Sequence, residues 1–272
     1  MVTQEQRKRQ LAREKFLRQQ QRRTAARRKA NVRNSVIASV LGVIVVGSVV
    51  SYATGVFKND DSKANASAEV TPSASPSKAA DPCEKAAEGA VKSLSWKKEP
   101  AMTIDKSAKY EMKLATTCGD IDIALKTSAA PHTVNSFNFL ASKGYFDHTK
   151  CHRLTTNGIY VLQCGDPKGT GMGGPGYTIP DENLKDKTLK NNIYPAGTIA
   201  MANTGQAHTG GSQFFLVYQD SQLPPSYTPF GTVSASGMKV LKKIAAAGEA
   251  TGQGDGAPNA TVVINKATVT KS

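Results

Sequence analysis

Residues 151–166 read CHRLTTNGIYVLQCGD. The stretch reads as two short antiparallel strands, Cys151–Leu154 and Gly158–Gln163, joined by a polar turn at Thr155–Asn157. Alternate residues of a strand face the same way, so Arg153 shares a surface with Gln163 and with either Tyr160 or Val161. A fixed cation beside an apolar wall and an amide is ill suited to a pure core. The group suits a site that grips a peptide and works on its backbone.

Outward from this hairpin, a second informative stretch is TIAMANTGQAHTGGSQFFLVY (198–218), which offers Asn203, Gln213 and Phe215 in a Gly-rich setting. Earlier in the chain, YEMKLATT and DIDIAL alternate around Cys118-Gly119 and predict a hairpin. A helix is expected from Pro131, with Val134, Phe137, Leu140 and Ala141 on one face and Gly144 as its stop. Val240, Leu241, Ile244 and Ala247 predict a second helix, ended by Gly248. Short strands are expected at Gly197–Ala202, Gln213–Tyr218, Gly231–Val233, Thr261–Ile264 and Ala267–Thr270. Many short strands with two separated helices indicate a mainly β, closed antiparallel barrel capped by the helices.

The formal net charge of +14 is unevenly spread. Residues 1–34 hold 12 Lys and Arg against 2 Glu, so the tail carries +10 and the rest of the chain only +4. The tail has a single aromatic, Phe16, and no nucleic-acid partner is expected. Between Arg33 and Lys58 run 24 consecutive uncharged residues, enough to cross a bilayer. The expected organisation is a basic cytoplasmic tail (1–34), one transmembrane helix (35–57), a flexible polar linker (58–82), a short helical pre-domain segment (83–106) and a globular domain (107–272). The positive-inside rule keeps the amino terminus in the cytoplasm and puts the domain outside, with the cell membrane as its location. A cleaved signal peptide, with Ser51-Tyr52-Ala53 as the cleavage site, is the competing reading and leads to the same compartment. Trp96, the only tryptophan, reads as a docking contact onto the domain.

The order and spacing of HR before QCGDP, of GTGMGGPGYTIPDEN (169–183) and of MAN with GSQFF resemble the cyclophilin family of peptidyl-prolyl cis–trans isomerases. The likeness runs from about Tyr110 to the C-terminus. It implies an eight-stranded barrel with a helix over each open end, catalysis of X–Pro isomerisation during folding of exported proteins, and no cofactor or metal. The expected partners are proline-containing polypeptides and, through the anchor, the membrane. By the same resemblance Arg153 is the catalytic residue, and Tyr160, Val161, Phe215 and Leu223 wall the proline pocket. Gln163, Asn203 and Gln213 hold the peptide backbone, and Met201 and Thr204 shape the pocket for the residue before proline. Leu223 stands where the family often has tryptophan, which weakens cyclosporin binding. Tyr227 stands where it has a rim histidine, and Tyr160 where it usually has phenylalanine. These departures keep a second reading open, a proline-peptide-binding chaperone module with little turnover.

The four cysteines, placed outside the cytoplasm, are expected to pair. Cys151 and Cys164 lie near the outer ends of one hairpin, within disulfide range, which leaves Cys83 with Cys118. Two further groupings compete. His148, Cys151, His152 and Cys164 could offer zinc ligands, but the spacing is not a usual one and adjacent strand residues diverge. A His152, Asp166 and Ser212 triad lacks the G-x-S-x-G elbow. The ordinary reading of His152 is a core histidine bonded to backbone. The glycine-rich run after Asp166 has no GK[ST] and no following long helix, so it is not read as a nucleotide loop.

Overall fold

A computed structural model describes residues 80–272 and shows a mainly β fold with two helices. β1 (Tyr110–Thr116) and β2 (Gly119–Leu125) form the first hairpin, and their alternation buries Met112 and Leu114 against Ile121 and Ile123. Gly119 turns it at φ 126°, a backbone region that a side chain disfavours. The helix α1 (Pro131–Ser142) starts on a proline whose fixed φ suits a first turn. Its N-cap side chain makes no bond. Instead the Glu182 carboxylate accepts the His132 and Thr133 N–H groups at 3.0 and 2.9 Å. Negative charge at that end complements the helix dipole. On the inner face Phe137 meets the rings of Phe146, Phe214 and Phe230 at 5.3, 5.6 and 4.6 Å. All four rings are fully buried, each worth about 1.5–3 kcal/mol of transfer energy.

The remaining strands are β3 (Thr149–Lys150), β4 (Arg153–Thr155), β5 (Val161–Cys164), β6 (Ile193–Tyr194), β7 (Thr198–Met201), β8 (Phe214–Val217), β9 (Ser221–Gln222), β10 (Pro229–Val233), β11 (Asp255–Gly256) and β12 (Val263–Lys271). The second helix, α2 (Ala235–Ala246), is capped by Ser234, whose side chain accepts the Gly237 N–H at 3.1 Å. Helix α1 packs on β12 and α2 on β2. One ten-stranded sheet runs β11-β4-β5-β8-β7-β10-β2-β1-β12-β3, and β6 pairs with β9 apart from it.

The expected closed eight-stranded barrel is therefore corrected to a curled, open sheet of ten strands, whose end strands β11 and β3 do not pair with each other. The cause is local. Cys151 donates its N–H to Val262 and His152 donates to Gln163, so the chain crosses from the β12 side to the β5 side in two residues. It lays down no strand long enough to close the ring.

The expected helix in the pre-domain segment is also overturned. Residues 83–106 contain no helix and run as irregular chain tied to the domain. Cys83 is bonded to Cys118, Glu84 donates to the Thr117 carbonyl at 2.8 Å, and Trp96 donates to the Pro175 carbonyl at 2.8 Å. These outside partners take up backbone groups that a helix would pair internally. The Trp96 ring meets Phe139 edge-on at 5.0 Å. The expected basic tail, membrane span and residues 58–79 of the linker lie outside the described residues. Among the described residues no helix is long and apolar enough to cross a membrane.

Candidate active site

The β4–β5 pairing sets Arg153 directly opposite Gln163. Strand β5 begins only at Val161, because Gly158 has φ 75° and Asn157 bridges to Ile159 before the ladder starts. From Val161 onward the alternation decides which side chains share the face of Arg153. Val161 and Gln163 do.

The guanidinium is held by three hydrogen bonds to two partners. Its Nε and Nη2 donate to the two oxygens of Asp255 at 2.7 and 2.8 Å, and its Nη1 donates to Gln163 Oε1 at 3.1 Å. Gln163 Nε2 donates to Gln213 Oε1 at 2.9 Å, and Gln213 Nε2 donates to the Gly173 carbonyl at 2.9 Å. Each amide's orientation is thus fixed by its neighbour. Arginine has five N–H donors; three are engaged, which leaves one on each terminal nitrogen. The bonds to Asp255 raise the pKa of Arg153 against the opposing effect of burial, so the charge is permanent.

Beside this cation lies a cavity of about 200 Å³. That is below the ~300–1,000 Å³ of sites for drug-sized ligands and matches the scale of one side chain. Val161, Phe215 and Leu223 form its apolar wall, with Tyr227 edge-on to Phe215 at 5.4 Å. Gln163, Ala202 and Asn203 line the side where it adjoins a larger groove of about 1070 Å³, which the same three residues also line. Thr204 and Gln213 stand in the groove, with the Thr204 hydroxyl 3.0 Å from that of Thr209. The Asn203 side chain is occupied by its own loops: Nδ2 donates to the Ser226 carbonyl at 2.8 Å and Oδ1 accepts the Gly205 N–H at 3.0 Å.

Two expected site residues lie elsewhere. Tyr160 is not in the cavity wall. It points to the other face and packs at 5.9 Å against Tyr218 in the main core, while Ile159 takes the wall position. The alternation explains this, since 159, 161 and 163 share a side and 160 does not. Met201 lines neither space; it is buried in the core. Asp255 and Ile159 were not singled out from the sequence. Asp255 lies 102 residues from Arg153 in a Gly-rich stretch and reaches it only because β11 pairs with β4. No local signal marks it. Ile159 could have been found by counting back in twos from Gln163.

The competing groupings do not form. Cys151 and Cys164 are bonded to each other, as are Cys83 and Cys118, so neither hairpin thiol is available to zinc. Ser212 Oγ donates to the Gly165 carbonyl at 2.7 Å, and both His152 ring nitrogens lack a partner among the described residues, so no triad forms. His152 is therefore not bonded to backbone as expected. Burial pushes its pKa below the ordinary value, and the ring is neutral near pH 7. Asp166 is buried. Its own burial pushes its pKa up, but backbone N–H groups from Lys168 to Gly173 outweigh that and hold it low. Those bonds, including 2.7 Å each from Lys168 and Gly171, fix the loop that walls the groove.

Comparisons with known proteins agree with this geometry. A family model described as cyclophilin type peptidyl-prolyl cis-trans isomerase/CLD matches residues 111–269. The "probable peptidyl-prolyl cis-trans isomerase B" of Mycobacterium leprae is 50% identical over 165 residues, which cover 58% of this chain and 56% of that one. Its namesake in Mycobacterium tuberculosis is also 50% identical over 165 residues, 58% of this chain and 53% of that one. The chain thus spans about half the length of these mycobacterial relatives. The peptidyl-prolyl cis-trans isomerase B of Bacillus subtilis is 40% identical over 125 residues, 46% of this chain and 82% of that one. Among solved structures, a cyclophilin type peptidyl-prolyl cis-trans isomerase of Cryptosporidium parvum superposes with a TM-score of 0.50 at 26% identity, covering 60% of this chain and 99% of that one. With the family model matched across the sheet, both helices and the arginine-lined cavity, the chain belongs to the cyclophilin-type peptidyl-prolyl cis-trans isomerase family.

Proposed function

We propose that this protein is a peptidyl-prolyl cis–trans isomerase of the cyclophilin type, acting on X–Pro bonds of exported proteins as they fold. The observation that carries the reading is Arg153, clamped by Asp255 and Gln163, with two unspent N–H donors beside a side-chain-sized apolar cavity. Rotation about the amide C–N bond costs about 18–20 kcal/mol because of its partial double-bond character. Lowering that barrier needs neither nucleophile nor metal. It needs the proline ring held still and the twisted amide, with its lone pair localised on nitrogen, stabilised by a fixed donor. In this reading Val161, Phe215, Leu223, Tyr227 and Ile159 hold the ring. Arg153 binds the proline carbonyl and directs hydrogen bonding toward the nitrogen. Gln163, Gln213 and Asn203 align the flanking backbone, and Thr204 faces the residue before proline. Slow prolyl isomerisation limits many folding reactions, so such an activity has an evident use.

The chain is further proposed to be a single-pass membrane protein, with residues 35–57 as the span, the basic tail in the cytoplasm and the domain outside. The uncharged run and the tail's +10 support that placement. A protease-coupled assay on an X–Pro peptide with wild type and Arg153→Ala tests the activity. A loss of at least tenfold in the variant is expected; equal rates would refute the isomerase reading and leave a binding module. Extraction of cell membranes with carbonate tests the anchor, since a protein released into the wash is not integral.

A further inference from the structure

The larger groove has a wall that the family-matched residues 111–269 do not supply. Residues 97–99 form it, and they are pinned there. Trp96 donates its N–H to the Pro175 carbonyl at 2.8 Å, and its ring seats against Phe139 and Tyr145 at 5.0 and 6.0 Å. Gly176 opposite has no room for a Cβ because the Ser95 side chain and the Trp96 backbone lie against it. On the far side Glu99 Oε1 lies 2.6 Å from His132 Nδ1, and Thr103 donates to Asn135 Oδ1 at 2.9 Å. This short run is thus anchored before and after two exposed lysines, Lys97 and Lys98. A third, Lys168, reaches the groove from the loop that Asp166 holds. Among the described residues none of the three side chains is in an ion pair or hydrogen bond. Glu99, the one acid in the lining, is hydrogen-bonded to His132. The groove therefore sets three unpaired ammonium groups against one hydrogen-bonded carboxylate, a net positive wall, and it opens into the proline cavity across Gln163, Ala202 and Asn203.

We infer that this groove is a subsite for an acidic side chain on the amino-terminal side of the substrate proline, so that Asp–Pro and Glu–Pro segments are preferred. The inference rests on the isomerase reading for its direction, since Thr204, on the groove wall, is there assigned to the residue before proline. Two or three ammonium groups close to one carboxylate in high dielectric, each pair worth the small energy of an exposed ion pair, amount to a preference of about three- to tenfold. Exposed charges are screened over a Debye length of about 10 Å at 0.1 M salt, so the preference is expected to fade at high ionic strength.

The test uses the full-length chain in mild detergent and three hexapeptides that differ only in the residue before proline, alanine, glutamate or lysine. Exchange NMR reads turnover and chemical-shift titration reads affinity. The expected result is a glutamate-over-lysine ratio of at least threefold at 50 mM salt, approaching one at 0.5 M, and inverted in Lys97→Glu/Lys98→Glu. A ratio within twofold of one at low salt, or one that salt does not change, overturns the inference whether or not the double variant folds. If no peptide is turned over, the isomerase reading fails separately, and the titration ratio still decides the charge preference.

Discussion

Asp255→Ala isolates the clamp on the arginine. In the structure the carboxylate takes two of the three engaged guanidinium donors and leaves Gln163, at 3.1 Å, as the sole remaining anchor. The pair is partly open to solvent, with side-chain exposures of 38% for Arg153 and 56% for Asp255. Its direct contribution to folding is accordingly that of a surface pair, about 0.2–1 kcal/mol. Its effect on rate is larger, because a freed arginine regains rotamer entropy that the clamp had removed. An arginine side chain carries about 2 kcal/mol of such freedom; recovering half to all of it dilutes the productive rotamer about 5- to 30-fold. The expected result is a fall of that size in kcat/KM for an X–Pro peptide, with the denaturation midpoint almost unmoved. Peptide affinity, which the apolar wall supplies, changes less than about threefold. Asp255→Glu, which keeps the charge on a longer arm, recovers part of the rate. Coupled proteolysis measures the first quantity and chemical-shift titration the second. An Asp255→Ala enzyme within twofold of wild type would show that Gln163 and packing alone aim the guanidinium, and the clamp argument would be wrong.

Three further outcomes are expected. The folded pKa of His152 lies below its ordinary 6.5 because burial disfavours the charged ring, so the unfolded chain takes up a proton first. Stability is full above about pH 6.5 and declines as pH falls through the folded value, and His152→Gln flattens that decline in urea titrations; an unchanged slope rejects the assignment. Removing the Cys83–Cys118 bond, which closes a loop of 35 residues, by Cys83→Ser/Cys118→Ser lowers the unfolding free energy by about 4 kcal/mol on loop-closure grounds; a loss under 1 kcal/mol would mean that the pre-domain segment is held by its other contacts. Ile159→Ala weakens binding of a proline peptide by about three- to tenfold through lost apolar contact, whereas Tyr160→Phe leaves it within twofold; the reverse order would put the tyrosine, not the isoleucine, in the cavity wall.

What could be read from the chain and what could not divides by the range of the interaction. The strand alternation around Arg153 and Gln163, the proline-started helix and the hairpin at Gly119 are set by neighbours a few residues away, and each is found where the pattern points. Tyr160 shows where a resemblance and the local pattern part. Counted in twos from Gln163, position 159 shares the pocket face and 160 does not, and the side chain of the aromatic expected in the pocket turns to the opposite face. The open edge of the sheet and the irregular course of residues 83–106 depend on partners far along the chain, Val262 for Cys151 and Pro175 for Trp96, which no window of sequence contains. Asp255 is the sharpest case. A two-residue strand in a glycine-rich turn carries no periodic signal, yet its pairing with Thr155 delivers a carboxylate to the residue on which the proposed chemistry depends. The guanidinium itself was legible because a cation on a strand beside an apolar row is out of place in a core. The group that aims it was hidden because an acid in a solvent-facing turn is ordinary until the fold brings it within 2.7 Å of that cation.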